Sequence, residues 1–575
     1  MKIIFKYILK YKIFFLLNII SVLFICCGEI LITFVISKCL IDDINYMKEN
    51  LTKIILILTI LVILAFIGHF IVVFCSSKLS SLVFRDLSSE IFGKIQNFSI
   101  TEIQNIGVSK LMNRTTNNIY QIMSFISTFY KSAIISPIIL IISLFSIYFT
   151  SFKLAYSILI TIPFFISMLF FLVKKNYKLS IKQQTESEKI NNIIRENILG
   201  IKVIKSLNQE KYEEQKFEKI NSKYSNLIIK FFLSMVSIEP LFYLLLNISI
   251  IITMGIGSII IKETESLKIG SLYHCINLQY HVLFSILNFL LLFMMFPKTL
   301  VCVKNMEQLL NIKTENENNS FKIQKIDKIR KLEFKNIDFK YPDSEKKILE
   351  NINFEVKNSE LIAIVGATGS GKTTLINLIP GLIEPTNGSI KINEIDIKNF
   401  NKKELRKKIG FVSQKNILFK GTIFSNLLFG KENATEKEML EKAKLAQAYE
   451  FIKDKKNQLN ENVSELGMNL SGGQKQRLSL TRTFLKEPDI YIFDDSFSAL
   501  DYKTDLAIRK EFFNKIKDSI IIIIAQRISS ILKADKIIVL ENGKIINIGR
   551  HEELIQKCKI YQDIAFSQKI KEVLK

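Results

Sequence analysis

Residues 361–378 read Leu361-Ile-Ala-Ile-Val365-Gly366-Ala367-Thr368-Gly369-Ser370-Gly371-Lys372-Thr373-Thr374-Leu-Ile-Asn-Leu378. An apolar β-branched run passes into a glycine-rich segment and then into a helix-forming one. This fits G-x-x-x-x-G-K-[ST] in the strand, loop and helix context that the pattern requires. Glycines let backbone N–H groups approach phosphate oxygens, Lys372 brings a point charge to the outer phosphates, and the Thr373 hydroxyl is placed to ligate Mg2+. The stretch predicts a P-loop nucleotide site. Around it, β-rich runs such as Ile490–Phe493 and Ser519–Ala525 alternate with helical stretches, the pattern of a mainly parallel α/β sheet.

Downstream, Ile490-Tyr-Ile-Phe493 is a buried-strand run ending in Asp494, whose carboxylate is placed to hold Mg2+ directly or through a water, and Asp495 follows. Between the two motifs lies Leu470-Ser471-Gly472-Gly473-Gln474, then Lys475-Gln-Arg477, a glycine pair opening an amphipathic helix. Ser471 can cap that helix, whose free N–H groups and positive end suit a phosphate. Alone, each run reads as an ordinary core strand or N-cap. Their order behind a P-loop gives them meaning.

The chain before residue 313 has a different character. Six stretches, 13–36, 54–74, 134–149, 154–173, 238–261 and 269–296, are dominated by Ile, Leu, Phe and Val. Each suffices for a bilayer crossing of roughly 20 residues. Lys2, Lys6, Lys10 and Lys12 precede the first, and six crossings return the chain to its starting side, so both termini are expected in the cytoplasm. Loop 76–131 carries six Lys/Arg against Asp86, Glu90 and Glu102, and loop 174–230 carries thirteen against seven acids, while the connections near 42–53, 153 and 262–268 are short and nearly neutral. The signs agree for all six spans. The two long loops have helical apolar spacing with few breakers, so the membrane helices are expected to run roughly 35–40 Å into the cytoplasm.

A signal peptide ending near Cys26 is the competing reading of the first stretch. Phe24 and Ile25 are too large for cleavage, and the apolar run continues past Cys26. The 575 residues carry a net charge of +24 and are 49% hydrophobic, so basicity and apolarity occupy different regions. Much of the basic excess falls in the cytoplasmic loops, which favours membrane topology over nucleic-acid binding. Seven Cys in so long a chain exclude a disulfide scaffold, and the absence of a CxxC pair offers no support for metal or redox chemistry.

A Leu-Ser-Gly-Gly-Gln segment between these two nucleotide motifs, preceded by six spans in one chain, resembles a half-transporter of the ABC exporter family. The resemblance implies an all-α six-helix transmembrane domain with long cytoplasmic extensions (1–312), a polar linker (313–329) and an α/β P-loop nucleotide-binding domain (330–575). It implies ATP with Mg2+, and two nucleotide domains paired head to tail. Gly366, Ala367, Thr368, Gly369, Ser370, Gly371, Lys372, Thr373 and Thr374 would then bind ATP with Tyr341 stacked on adenine. Ser471, Gly472, Gly473, Gln474 and Asp501 would serve the partner's nucleotide. Thr373, Gln414 and Asp494 form the implied Mg2+ set. Gly107–Arg114 and Arg195–Lys205 resemble the segments that couple membrane helices to nucleotide domains.

Two positions depart from the family pattern. Asp495 stands where the family carries the Glu that polarises the attacking water, one methylene short, and Gln526 stands at the switch histidine. A base displaced by about 1 Å can cost on the order of 10²-fold, and Gln cannot become a cation. Binding is therefore expected to survive at this chain's site and hydrolysis to be poor. That combination resembles the degenerate chain of heterodimeric bacterial multidrug-type exporters, whose partner carries Glu and His. The expected function is export of drugs, lipids or peptides, hydrophobic or amphipathic, across the bacterial cytoplasmic membrane. A homodimeric flippase and a nucleotide-sensing regulatory subunit are the alternatives. Glu29, His69, His274 and His281 lie in or beside spans, where a charge is costly, so Glu29 is expected to face a cavity or partner rather than lipid, either favouring cationic substrates or pairing with a Lys near a helix end.

Overall fold

The computed structural model describes residues 6–7, 9–264, 267–315, 326–342 and 344–568. The chain forms two compact units, Met1–Gln96 with Gly107–Ile312, and Asn97–Ile106 with Lys313–Lys575. Residues 97–106 thus leave the expected 1–312 block and group with the second unit, where the Glu315 N–H donates to the Asn97 carbonyl at 3.0 Å. Nor is the expected linker featureless. Glu315 makes a two-pronged ion pair with Arg406 at 2.8 and 3.1 Å, so its polar composition reflects an anchor at that point. Residues 316–325 of the linker lie outside the described residues.

The first unit is helical: α1 (Lys12–Val35), α2 (Ile44–Ile95), α3 (Ile135–Thr150), α4 (Phe152–Leu199), α5 (Glu210–Val236), α6 (Ile238–Thr264) and α7 (Ile269–Asn311). Among the described residues, five helical stretches are long and apolar enough to cross a membrane, and the sixth apolar run, 269–296, lies within α7. Forty-eight residues of α4 span roughly 70 Å at 1.5 Å per residue, more than twice a hydrocarbon core. The connection near 42–53 is mostly helix rather than loop. Asp43 accepts from the Tyr46 N–H at 3.0 Å and starts α2 early, with non-helical torsions at Asn50 marking where polar residues give way to the apolar run. Loop 76–131 is likewise helical, continuing α2 to Ile95 and then through Ile100–Ile106, Val108–Asn113 and Ile119–Thr128.

Helices α1 and α2 meet on two glycines. A Cβ on Gly28 would lie 2.4 Å from the Ala65 Cβ, and one on Gly68 would lie 2.8 Å from Ile25 Cγ1 and 2.9 Å from the Ser21 carbonyl. Small residues at a crossing let backbones approach, and in lipid that packing replaces the hydrophobic drive. Gly68→Val should therefore lower the thermal midpoint of the purified chain in detergent by several degrees, since overpacking costs about 1–3 kcal/mol. An unchanged midpoint would show that the two helices can separate freely. Deeper in the unit, buried His274 bridges three helices, with Nδ1 2.9 Å from Thr33 Oγ1 and Nε2 3.1 Å from Ser146 Oγ. Glu29 pairs with histidines rather than with a Lys near a helix end.

Among the described residues, the second unit carries three sheets. Strands β1 (Lys331–Phe339), β2 (Leu349–Lys357), β4 (Asn387–Ile392) and β5 (Ile395–Asp396) form an antiparallel sheet in the order β2-β1-β4-β5. The larger sheet runs β12-β11-β3-β10-β9-β6, from β3 (Leu361–Val365), β6 (Ile409–Val412), β9 (Ile490–Asp494), β10 (Ile520–Ile524), β11 (Lys536–Glu541) and β12 (Lys544–Gly549). All its pairings are parallel except β11 with β12. A two-stranded piece joins β7 (Gly421–Thr422) to β8 (Asn462–Val463). Period-2 alternation sends Val365, Tyr491, Phe493 and Ile523 to one core and Ile364, Ile490, Ile492 and Ile522 to the other. Both faces are covered, which is why these strands read as unbroken apolar runs. The C-terminal ends of β3 and β9 place the P-loop and Asp494 side by side.

Candidate functional site

The P-loop leaves β3 at Gly366 and enters α8 (Lys372–Asn377) through Gly371. Gly371 has φ +99°, and a Cβ there would lie 2.9 Å from Leu349 Cδ2; at Gly366 it would lie 2.0 Å from the Leu540 carbonyl oxygen. Only glycine fits either turn. Lys372 Nζ donates to the carbonyls of Gly366 (2.8 Å) and Ala367 (2.7 Å), with Ser370 Oγ at 3.4 Å. Burial lowers its pKa, opposed by Asp494 and Asp495.

Asp494 ends β9 almost fully buried, and Thr373 Oγ1 donates to its Oδ1 at 3.2 Å. Burial raises its pKa, and the Thr373 hydrogen bond opposes that shift. Hydroxyl and carboxylate oxygens converge here across 121 residues of sequence, a donor set that suits a hard divalent cation. Tyr341 sits over the start of α8, its hydroxyl 3.4 Å from Thr374 Oγ1 and its ring edge-on to Phe339 at 4.8 Å.

Asp495 turns sharply out of β9 with φ +49°, its N–H donating to the Ile524 carbonyl at 3.2 Å. Gln526 Nε2 donates to Asp495 Oδ2 at 2.8 Å. The two atypical residues are thus direct partners. Burial raises the Asp495 pKa, and hydrogen bonds from Gln414 and Ser498 oppose it, which brings Gln414 to the same carboxylate. Sequence reasoning missed Gln568, whose amide donates to the Gln526 carbonyl at 2.6 Å and accepts from the Ile528 N–H at 2.8 Å. It also missed Ser496, whose buried hydroxyl ties this turn to the Val412 carbonyl on β6 at 3.0 Å. Neither belongs to a local pattern.

The signature segment opens α9 (Gly472–Lys486). Ser471 and Gln474 form a reciprocal capping box, with the Ser471 N–H donating to Gln474 Oε1 at 3.0 Å and the Gln474 N–H to Ser471 Oγ at 3.3 Å. These bonds stay within the segment and do not reach the Lys372 cluster. Gln476 Oε1 accepts from the Ala499 N–H at 3.1 Å, and Arg477 donates to the Gln447 carbonyl at 2.7 Å with its guanidinium 4.7 Å from the Phe451 ring centre. Asp501 caps α10 (Tyr502–Lys515), accepting from the Thr504 N–H at 3.0 Å. Its carboxyl pKa is lowered because the Thr504 hydrogen bonds favour the charged form.

Together the fold and this site define a multi-pass membrane protein with a transport ATPase domain. The ABC transporter transmembrane region family matches residues 14–287, and the ABC transporter family matches residues 349–498. The chain is similar to the Bacillus subtilis (strain 168) ABC transporter ATP-binding protein YfiB, 32% identical over 457 residues, 80% of this chain and 79% of that protein. It is also similar to a Staphylococcus aureus (strain NCTC 8325 / PS 47) ATP-binding/permease protein provisionally named for multidrug export, 32% identical over 455 residues, 79% of this chain and 78% of the relative. Its fold matches that of a bacterial Atm1-family ABC exporter with ATP bound, with TM-score 0.80 and 21% identity over 96% of this chain and 97% of the other. The chain belongs to the ABC transporter family, as an exporter carrying its membrane and ATP-binding domains in one polypeptide.

Proposed function

We propose that this chain is one half of a heterodimeric exporter in the bacterial cytoplasmic membrane, with both termini and the nucleotide domain in the cytoplasm. Its own site binds Mg-ATP and turns it over slowly, and its signature segment completes the partner's site. The observation carrying this reading is the 2.8 Å hydrogen bond from Gln526 to Asp495. A short carboxylate engaged by a neutral amide is poorly placed to polarise a water, and an amide cannot supply the positive charge of a histidinium.

The binding residues support retention of nucleotide. The tight turns at Gly366 and Gly371 need glycine, and the paired Thr373 and Asp494 oxygens suit Mg2+. Bound Mg-ATP supplies the phosphoanhydride whose hydrolysis powers transport. Lys372, Thr373 and Asp494 would hold it, Tyr341 would flank the base, and Gln414 would contact the metal. Ser471, Gly472, Gly473, Gln474 and Asp501 would face the partner's nucleotide. The substrate class is hydrophobic or amphipathic, a drug, lipid or peptide.

The test is ATP turnover and nucleotide retention by the purified chain, alone and with a co-expressed second half-transporter carrying Glu and His at the two positions. Alone, the chain should bind ATP and hydrolyse it slowly; with the partner, turnover should appear and one nucleotide per pair should stay intact. Rapid turnover by the lone chain would favour the homodimer. ATP binding by the pair without substrate movement into vesicles would favour a regulatory subunit.

A further inference from the structure

Gly28 and Gly68, which seat α1 against α2, are each followed by an ionisable residue, Glu29 and His69. His69 Nε2 lies 2.9 Å from Glu29 Oε1, and His281 Nδ1 on α7 lies 3.6 Å from the other oxygen, Oε2. Three helices therefore bring one carboxylate and two imidazoles together inside apolar spans. The titratable groups facing Glu29 are Cys26 on α1, His69 on α2 and His281 on α7. Among the described residues no Lys, Arg or second carboxylate pairs with it.

A histidine that must only neutralise a structural carboxylate is expected to be buried with it. Here His69 is 53% exposed and Glu29 27% exposed, so this chain does not enclose the pair. Next to it on α7, the Tyr280 ring lies 6.0 Å from His281 and stacks on Phe284 at 5.6 Å and 11°. Both rings are partly exposed, Tyr280 at 37% and Phe284 at 40%. A carboxylate whose His281 partner is flanked by accessible aromatic rings offers the chemistry that receives an organic ammonium or phosphonium ion. A metal centre fits less well, because its ligands close to about 2.0–2.2 Å around one point, whereas each oxygen here faces its own imidazole.

We propose that Glu29 is a recognition site for organic cations, with His69 and His281 as internal counter-charges that a cationic substrate displaces. The inference rests on the exporter assignment, in which the membrane unit admits substrate, and is independent of the partner's identity. Its sign follows from charge. Once protonated, imidazolium neutralises Glu29 and competes with the substrate; with both imidazoles neutral the carboxylate is free to bind.

The experiment measures tetraphenylphosphonium binding to the full chain in nanodiscs at about pH 5.5 and about pH 8, with neutral triphenylphosphine oxide as control. The unmodified chain should bind the cation about tenfold more tightly at the higher pH, and Glu29→Gln should lose about that factor while binding the neutral probe unchanged. The double variant His69→Gln, His281→Gln should keep cation binding and lose its pH dependence. Equal cation affinity in Glu29→Gln, or pH-independent binding by the unmodified chain, overturns the proposal. If Glu29→Gln loses both probes, Glu29→Asp decides, since it keeps the charge and must keep cation binding; loss there also overturns it. Neither ATP turnover nor a partner enters the assay, so its failure leaves the heterodimer reading standing.

Discussion

Gly472→Asp should reduce ATP turnover by the assembled pair by about 10²-fold or more, whereas Asp495→Asn should leave it within about twofold. Gly472 is the first residue of α9, exposed, and a Cβ there would meet only Ala499 Cβ at an ordinary 3.8 Å. A carboxylate in the first turn suits the helix dipole, so the fold should not suffer. The same charge would repel a phosphate brought to that helix end. Steady-state hydrolysis by the pair measures both variants. Equal losses from the two would sink the assignment of turnover to the partner's P-loop, because under that assignment Asp495 would serve only this chain's own site.

The double variant Asp495→Glu, Gln526→His should raise hydrolysis at this chain's site by about 10²-fold. Asp495 is fixed at its root by its φ of +49° and its N–H bond to the Ile524 carbonyl, so an added methylene extends the carboxylate from a held base. While Gln526 remains, its amide occupies one carboxylate oxygen. Asp495→Glu alone should therefore gain much less than the pair of changes. The measurement is single-turnover hydrolysis in an assembly whose partner P-loop has been disabled. No gain from the double variant would mean that the two substitutions do not limit this site.

The nucleotide site was legible to the extent that its chemistry is contiguous. Eight residues from Gly366 to Thr373 must stand together because one turn presents them all to one phosphate chain. The Gln526–Asp495 bond was not legible, since 31 positions separate them and their meeting depends on β9 and β10 lying side by side. Arg477 likewise reaches Gln447 and Phe451 through packing alone. In the membrane unit, apolar runs located the helices but not their ends. Polar residues 45–50 looked like a loop because a helix outside lipid has no need of an apolar face all round, and only the Asp43 cap marks its start. Within the polar stretch read as a linker, Glu315 holds Arg406 with two hydrogen bonds, a contact across 91 positions that composition does not reveal.

The reciprocal bonds between Ser471 and Gln474 bear on how fast two halves can re-dock. Backbone and side chain at that helix start are already ordered within one chain, so their conformational entropy is spent once, during folding. Under the proposed pairing, each later association would meet a finished surface and lose little further freedom there. A Gln474→Ala chain keeps the Ser471 cap but frees one side of the box. Its closing step should slow relative to its opening step, so the defect would surface as a less populated closed state rather than as weaker nucleotide binding.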